Sequence, residues 1–112
     1  MKRIECIIRP HRLDDVKVAL AEMGVVGMTV EDVRGCGSHE EMRDSYRGAD
    51  YTVYLLPRIR LTMVVPDEDV DEVLDTVCQY ARTCEPGDGK IFIYPMDDAV
   101  RVRTEERGDA VL

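Results

Sequence analysis

Tryptophan is absent from the 112 residues and Phe92 is the single phenylalanine. A core must therefore be filled by Val, Ile, Leu and Met, which suits a small sheet covered by helices. Exposed sheet aromatics of the kind that stack RNA bases are not expected. Cations are also in deficit: 15 Lys and Arg against 23 Asp and Glu leave a net charge of −8. Such a surface repels nucleic acid and anionic membranes over most of its area. The four cysteines, Cys6, Cys36, Cys78 and Cys84, form no C-x-x-C pair. They are too few and too irregularly spaced for a stapled secreted scaffold, so reduced thiols in a cytosol are expected. No apolar run is long enough for a signal peptide or a membrane span, which points to a soluble, cytoplasmic protein without direct membrane insertion. At this length, with 45% hydrophobic and 34% charged residues, one packed core is expected and a second is not.

What is present is ordered periodicity. Ile4, Cys6 and Ile8 share one face of a strand over residues 2–8 that stops at Pro10. Leu13, Val16, Leu20 and Met23 then recur at helical spacing, with Asp14 and Asp15 in the first turn and Gly24 as the stop. A second strand follows Gly27 and ends near Arg34, with Met28 and Val30 facing opposite to Thr29, Glu31 and Val33. Ile59, Leu61, Met63 and Val65 make a third strand ended by Pro66. Asp67, Glu68 and Asp69 lead into a helix whose stripe is Val70, Val73, Leu74, Val77 and Ala81. Residues 91–94 read as a short buried strand, followed by a polar tail over 97–112 with Val100 and Val102. The order, strand-helix-strand twice, predicts one α+β domain over residues 1–112. It is a ferredoxin-like split βαβ with an antiparallel sheet and both helices on one face. The connection over 35–57 is longer than ordinary loops, polar through its first two thirds, and expected to project from the body and to lack order without a partner.

The chemistry concentrates after the second helix. In residues 82–90, Gly87 and Gly89 flank Asp88 and precede Lys90. The glycines let backbone N–H groups approach an anion, and Lys90 adds a mobile positive charge. A tight turn with a solvated lysine would look the same. Arg101-Val102-Arg103 favours the anion, because alternation along an extended tail puts both guanidiniums on one side. Catalytic groupings are not assignable: His11 sits at a strand-to-helix junction as a surface or capping residue, and no Ser, His and Asp set or carboxylate pair can be placed. Cys36-x-x-His39 has a usable metal-ligand spacing, beside Glu40, Glu41 and Asp44, but two ligands do not make a zinc site.

Three blocks, Tyr46-Arg47-Gly48-Ala49-Asp50-Tyr51, Gly87-Asp88-Gly89-Lys90-Ile91-Phe92 and Val100-Arg101-Val102-Arg103-Thr104-Glu105-Glu106-Arg107-Gly108, stand within a chain that resembles the PII signal-transduction proteins from Met1-Lys2-Arg3-Ile4-Glu5 to its last residue. The resemblance implies a non-enzymatic, homotrimeric sensor of nitrogen or carbon status. Such a sensor would bind ATP or ADP between subunits, with magnesium accompanying ATP. Thr29, Gly37, Ser38 and Val64 would line the nucleotide site, Gly87, Asp88, Gly89 and Lys90 would hold phosphates, and Arg101 and Arg103 would reach across from the neighbouring subunit. Residues 35–57 would be the T-loop that docks on a partner enzyme or membrane transporter, and Tyr51 matches the position that some members uridylylate.

The departures are local. Where the family loop runs Gly-x-Gly-Arg-Gln-Lys-Gly, Gly37 is followed here by Ser38, His39, Glu40 and Glu41. Ser38 replaces the arginine that assists the γ-phosphate, and His39 replaces the glutamine that helps hold magnesium and 2-oxoglutarate. Arg58 replaces the lysine that pairs with that acid, keeping the charge but not its compact geometry. Added carboxylates disfavour a dianionic 2-oxo acid, so 2-oxoglutarate sensing is expected to be reduced. The alternatives are a divergent sensor of energy or another small effector serving a transporter or carbon-fixation system, and a metal-binding trimer using Cys36 and His39.

Overall fold

The computed structural model describes residues 1–37, 43–46, 49–53 and 55–112, with the backbone alone for 43–46 and 49–53. Ser38 and His39 therefore lie outside the described residues, as does the side chain of Tyr51. The elements are β1 (Lys2–Ile8), α1 (Leu13–Glu22), β2 (Thr29–Gly35), β3 (Arg43–Tyr46), β4 (Ala49–Val53), β5 (Leu56–Val65), α2 (Val70–Ala81) and β6 (Gly89–Pro95), with single turns of 3₁₀-helix at Pro10–Arg12, Asp67–Asp69 and Asp109–Val111.

Four strands form one antiparallel sheet in the order β2-β5-β1-β6. Alternation sends Ile4, Cys6 and Ile8 of β1 and Ile59, Leu61, Met63 and Val65 of β5 to one face, where Val16 and Leu20 of α1 and Val73, Val77 and Ala81 of α2 complete the buried cluster. The two helices also touch each other. This is the split βαβ arrangement the periodicity predicts, and the alternating apolar residues of β1 and β5 are the ones buried, with Val16, Leu20, Val73, Val77 and Ala81 from the helices.

The helix ends follow their sequence signals. After α1, Gly24 adopts φ +94°, Val25 N–H reaches Leu20 O at 2.9 Å and Gly24 N–H reaches Ala21 O at 3.0 Å. The left-handed glycine thus satisfies carbonyls that the helix leaves free. Ahead of α2, the amino group of Met1 lies 3.0 Å from Asp67 Oδ1.

Four readings need correction. The strand read over 91–94 begins two residues earlier, at Gly89, so the glycine turn runs directly into β6. It is not buried: Phe92, Ile93 and Tyr94 are 45%, 47% and 41% exposed, because β6 is an edge strand paired only with β1. Phe92 and Tyr94 therefore stand as exposed aromatics on the sheet. The net charge of −8 still disfavours RNA, but an absence of sheet aromatics does not. The tail is not extended around its arginines: Glu105 N–H donates to Arg101 O at 2.8 Å and Arg101 N–H to Glu106 O at 2.9 Å, closing a turn over 101–106. The long connection contains an antiparallel pair, β3 with β4, and its ends are absorbed by β2 and β5.

Two consequences can be measured. All four cysteines are free thiols, but Cys6 is buried while the other three are exposed. Burial, then the charges of Cys78 and Glu5, push the Cys6 thiol up to about 12. Alkylation of the native protein at neutral pH, read by mass spectrometry, is expected to modify Cys36, Cys78 and Cys84 and to reach Cys6 only after unfolding. At Gly89, with φ +120°, an added Cβ would stand 1.8 Å from the backbone oxygen of Ile7. Gly89→Ala must therefore push β6 away from β1, and chemical denaturation should register a loss of about 2 kcal/mol or more.

Candidate functional site

The sheet face away from the helices carries the other half of each alternation, and it is polar. Glu5 is its centre: Arg60 Nε lies 2.8 Å from Glu5 Oε1, and Tyr94 Oη donates to Glu5 Oε2 at 2.6 Å. Arg60 also reaches Glu31 at 3.4 Å, and Arg3 stacks over the Tyr94 ring at 5.1 Å. The bond to Glu5, and then desolvation, raise the Tyr94 phenol above its usual value. Thr62, beside Glu5 in register, has a buried Oγ1 with no hydrogen-bond partner among the described residues.

At the end of this face where β1 stops, a cavity of about 350 Å³ opens. Ile7, Val33, Cys36 and Phe92 give it apolar walls, and Arg34, Arg58, Arg60 and Lys90 give it cations. Gly35, Gly37, Gly87 and Gly89 bring the backbone to its rim. Arg58 is 8% exposed and donates from Nη1 to Pro57 O at 2.8 Å. Burial, then the charge of Arg9, hold its guanidinium below its usual value. The mouth thus sets cationic side chains and glycine backbone beside apolar walls, with Arg60 already paired to Glu5 and Glu31.

The expected phosphate turn is built around one carboxylate. Asp88 Oδ2 accepts from Thr83 N–H at 2.8 Å and Cys84 N–H at 3.1 Å, while Oδ1 accepts from the Thr83 hydroxyl and from Arg9 Nε at 3.1 Å. Arg9 Nη2 also donates to Pro86 O at 2.7 Å. Gly87 at φ +89° and Gly89 at φ +120° make the reversal that turns the chain around this group, and Cys84 shares it at φ +68°. The Asp88 side chain faces its own loop, so whatever the turn offers an anion comes from its backbone and Lys90.

The remaining predicted residues do not gather here. Thr29 and Val64 line a different cavity, of about 420 Å³, with Gly27, Thr62, Pro66 and Leu112. Arg58 and Val64 lie at opposite ends of β5, about 20 Å apart at roughly 3.3 Å per residue. Arg101 and Arg103 line neither cavity: Arg103 is exposed, and Arg101 Nη1 is paired with Glu106 at 3.1 Å. The turn that carries them is fastened by Asp98, which accepts from Arg107 Nε at 2.7 Å and from the N–H groups of Ala99 and Gly108. Arg9, Arg34, Arg60 and Phe92 were missed from the sequence. Arg60 was within reach, since it shares the polar face of the third strand with Arg58. Arg9 was not, because its partners lie nearly the whole chain away. Among the described residues no group of three or more His, Cys, Asp or Glu could hold a metal, and no helix is long and apolar enough to cross a membrane.

Desolvation acts to raise the Asp88 pKa, but the hydrogen bonds from Thr83, Arg9 and Cys84 outweigh it and bring the value to about 2. The stability this gives is complete above the ordinary carboxylate value of about 4 and is lost as pH falls from there to about 2. Asp88→Asn should therefore melt below the parent at pH 6, with the gap closing toward pH 2 in a thermal-melt series.

The family described as Nitrogen regulatory protein P-II matches residues 1–106. Nitrogen regulatory protein P-II of Microchaete diplosiphon and that of Nostoc punctiforme are each 50% identical to this chain over 107 residues, covering 96% of both partners in the comparison. Nitrogen regulatory protein P-II 1 of Escherichia coli is 46% identical over 112 residues, the full length of both. Members of this family are regulatory signal transducers and not enzymes, acting as trimers on partner proteins. With the split βαβ sheet, its two helices and the glycine turn in place, the chain belongs to the nitrogen regulatory P-II family.

Proposed function

We propose that this chain is a cytoplasmic regulator that binds ATP or ADP in clefts between the subunits of a homotrimer, and controls a partner enzyme or transporter through residues 35–57. The observation that carries the reading is the mouth lined by Gly37, Gly87, Gly89 and Lys90, where glycine backbone and cationic side chains border a cavity with apolar walls in a protein of net charge −8. Phosphates suit the glycine turn and Lys90, magnesium would accompany ATP, and an adenine ring suits apolar walls.

The separation of the predicted residues supports placing the nucleotide between subunits. Thr29 and Val64 lie at one end of the sheet and Gly37, Arg58 and Lys90 at the other, so a single chain cannot close both sets on one small ligand. A head-to-tail contact that brings one end of a subunit to the opposite end of the next closes into a ring. The exposed Phe92, Ile93 and Tyr94 at the sheet edge supply apolar area for such a contact.

A reduced response to 2-oxoglutarate is part of the proposal. Arg58 stands where the family pairs a lysine with that acid, and its buried planar fork is already committed to Pro57 O. Calorimetry with ADP, ATP and Mg·ATP, each with and without 2-oxoglutarate, tests this. Nucleotide binding is expected in every case, with little gain from the acid, and Lys90→Ala should weaken ATP by about 10-fold or more, the scale of one charge-assisted hydrogen bond. Absence of nucleotide binding would overturn the proposal, and strong Mg·ATP-dependent binding of 2-oxoglutarate would overturn its last part. Light scattering should give three times the chain mass.

A further inference from the structure

We infer that Arg9 is a positioning residue for the phosphate turn: through Asp88 it fixes the direction of the amides at 87–90 and cancels the negative charge at the centre of that turn. The inference rests on the nucleotide reading above for its ligand, but on geometry for its mechanism. Arg9 follows directly on β1, whose Ile8 stands opposite Gly89 in the register. From that rigid point its guanidinium spans two atoms of the turn, Asp88 Oδ1 at 3.1 Å and Pro86 O at 2.7 Å. Two separate donors of one planar fork on two acceptors set an orientation as well as a distance, which a lysine ammonium cannot do.

The electrical half follows from where Asp88 lies. A carboxylate within a turn that offers amides to a polyanion opposes that polyanion, more strongly for each added phosphate. The carboxylate cannot be dispensed with, because its oxygens hold the Thr83 and Cys84 N–H groups that shape residues 83–88. Arg9 resolves the conflict by sitting on Asp88 with both side chains about a quarter exposed, where screening is incomplete. Its charge also repels the Arg58 guanidinium, adding to burial in holding that group below its usual value.

The experiment separates charge from scaffold by using a ligand series that differs only in phosphate number. Affinities for AMP, ADP and ATP are measured calorimetrically on the full chain and on Arg9→Gln, Arg9→Lys and Arg9→Gln/Asp88→Asn. Arg9→Gln should weaken ATP by about 10-fold or more and AMP by much less, so that the ATP-to-AMP affinity ratio falls. The double variant removes the uncompensated charge and should bring the ratio back toward the parent. Arg9→Lys should preserve the ratio while loosening the turn. Equal losses for all three nucleotides, or affinities within about two-fold of the parent, would overturn the electrical half. Amide hydrogen exchange on nucleotide-free protein tests the positioning half alone. The Thr83 and Cys84 amides should exchange several-fold faster in both single variants, and unchanged exchange overturns it. If the parent binds no adenine nucleotide, the nucleotide reading and the electrical half fail together while exchange still decides whether Arg9 orders the turn.

Discussion

Strand β1 is hydrogen-bonded along both edges, to β5 on one side and β6 on the other, and every part of the site is referred to it. Beyond Lys2, its even-numbered side chains, Ile4, Cys6 and Ile8, are almost wholly buried under the helices. Its odd-numbered ones, Arg3, Glu5 and Ile7, build the opposite face: Arg3 meets Tyr94, Glu5 meets Arg60 and Tyr94, and Ile7 lines the cavity mouth. A slip of one residue would exchange these two sets, burying two charges and exposing the core, so the hydrophobic pattern itself protects the register. Because the register is fixed, Gly89 lies against Ile7 O with no room for a side chain, and the amides that follow Gly87 are presented from a rigid strand.

Concentrating positive charge in an acidic protein has a cost that the structure distributes. Arg60 is neutralised by Glu5 and Glu31, Arg9 by Asp88, Arg101 by Glu106 and Arg107 by Asp98. Each of these pairs holds a side chain in place, and the half-buried ones exert more than a surface ion pair would. Lys90 and Arg58 line the cavity beside them, one exposed and one buried. The exposed ammonium can move to meet a ligand. The buried guanidinium is pre-set.

Backbone strain falls in the same two places. Cys84 at φ +68° lies in the loop before Gly87, and Glu105 at φ +62° closes the turn that carries Arg101 and Arg103. A side chain in the left-handed region is unfavourable by about 1–2 kcal/mol, and in both cases local hydrogen bonds hold it there: Cys84 N–H to Asp88, and Glu105 N–H to Arg101 O. The loops expected to meet phosphate are thus held by their own hydrogen bonds against an intrinsic preference, which fixes their shape before any ligand arrives.

The sequence alone carries the two-residue and 3.6-residue periods, and with them the four strands of the main sheet, both helices, the buried cluster and the split βαβ order, because these depend on neighbours a few positions apart. It also marked the glycine turn and the three family blocks. Tertiary structure alone shows that β6 is an edge with Phe92 and Tyr94 exposed, and that Thr29 lies at the opposite end of the sheet from Lys90. It alone brought Arg9 onto Asp88, 79 positions along the chain. Such facts depend on which strands pair and on which side, and strand pairing is a long-range choice made by burial and register that no local pattern encodes.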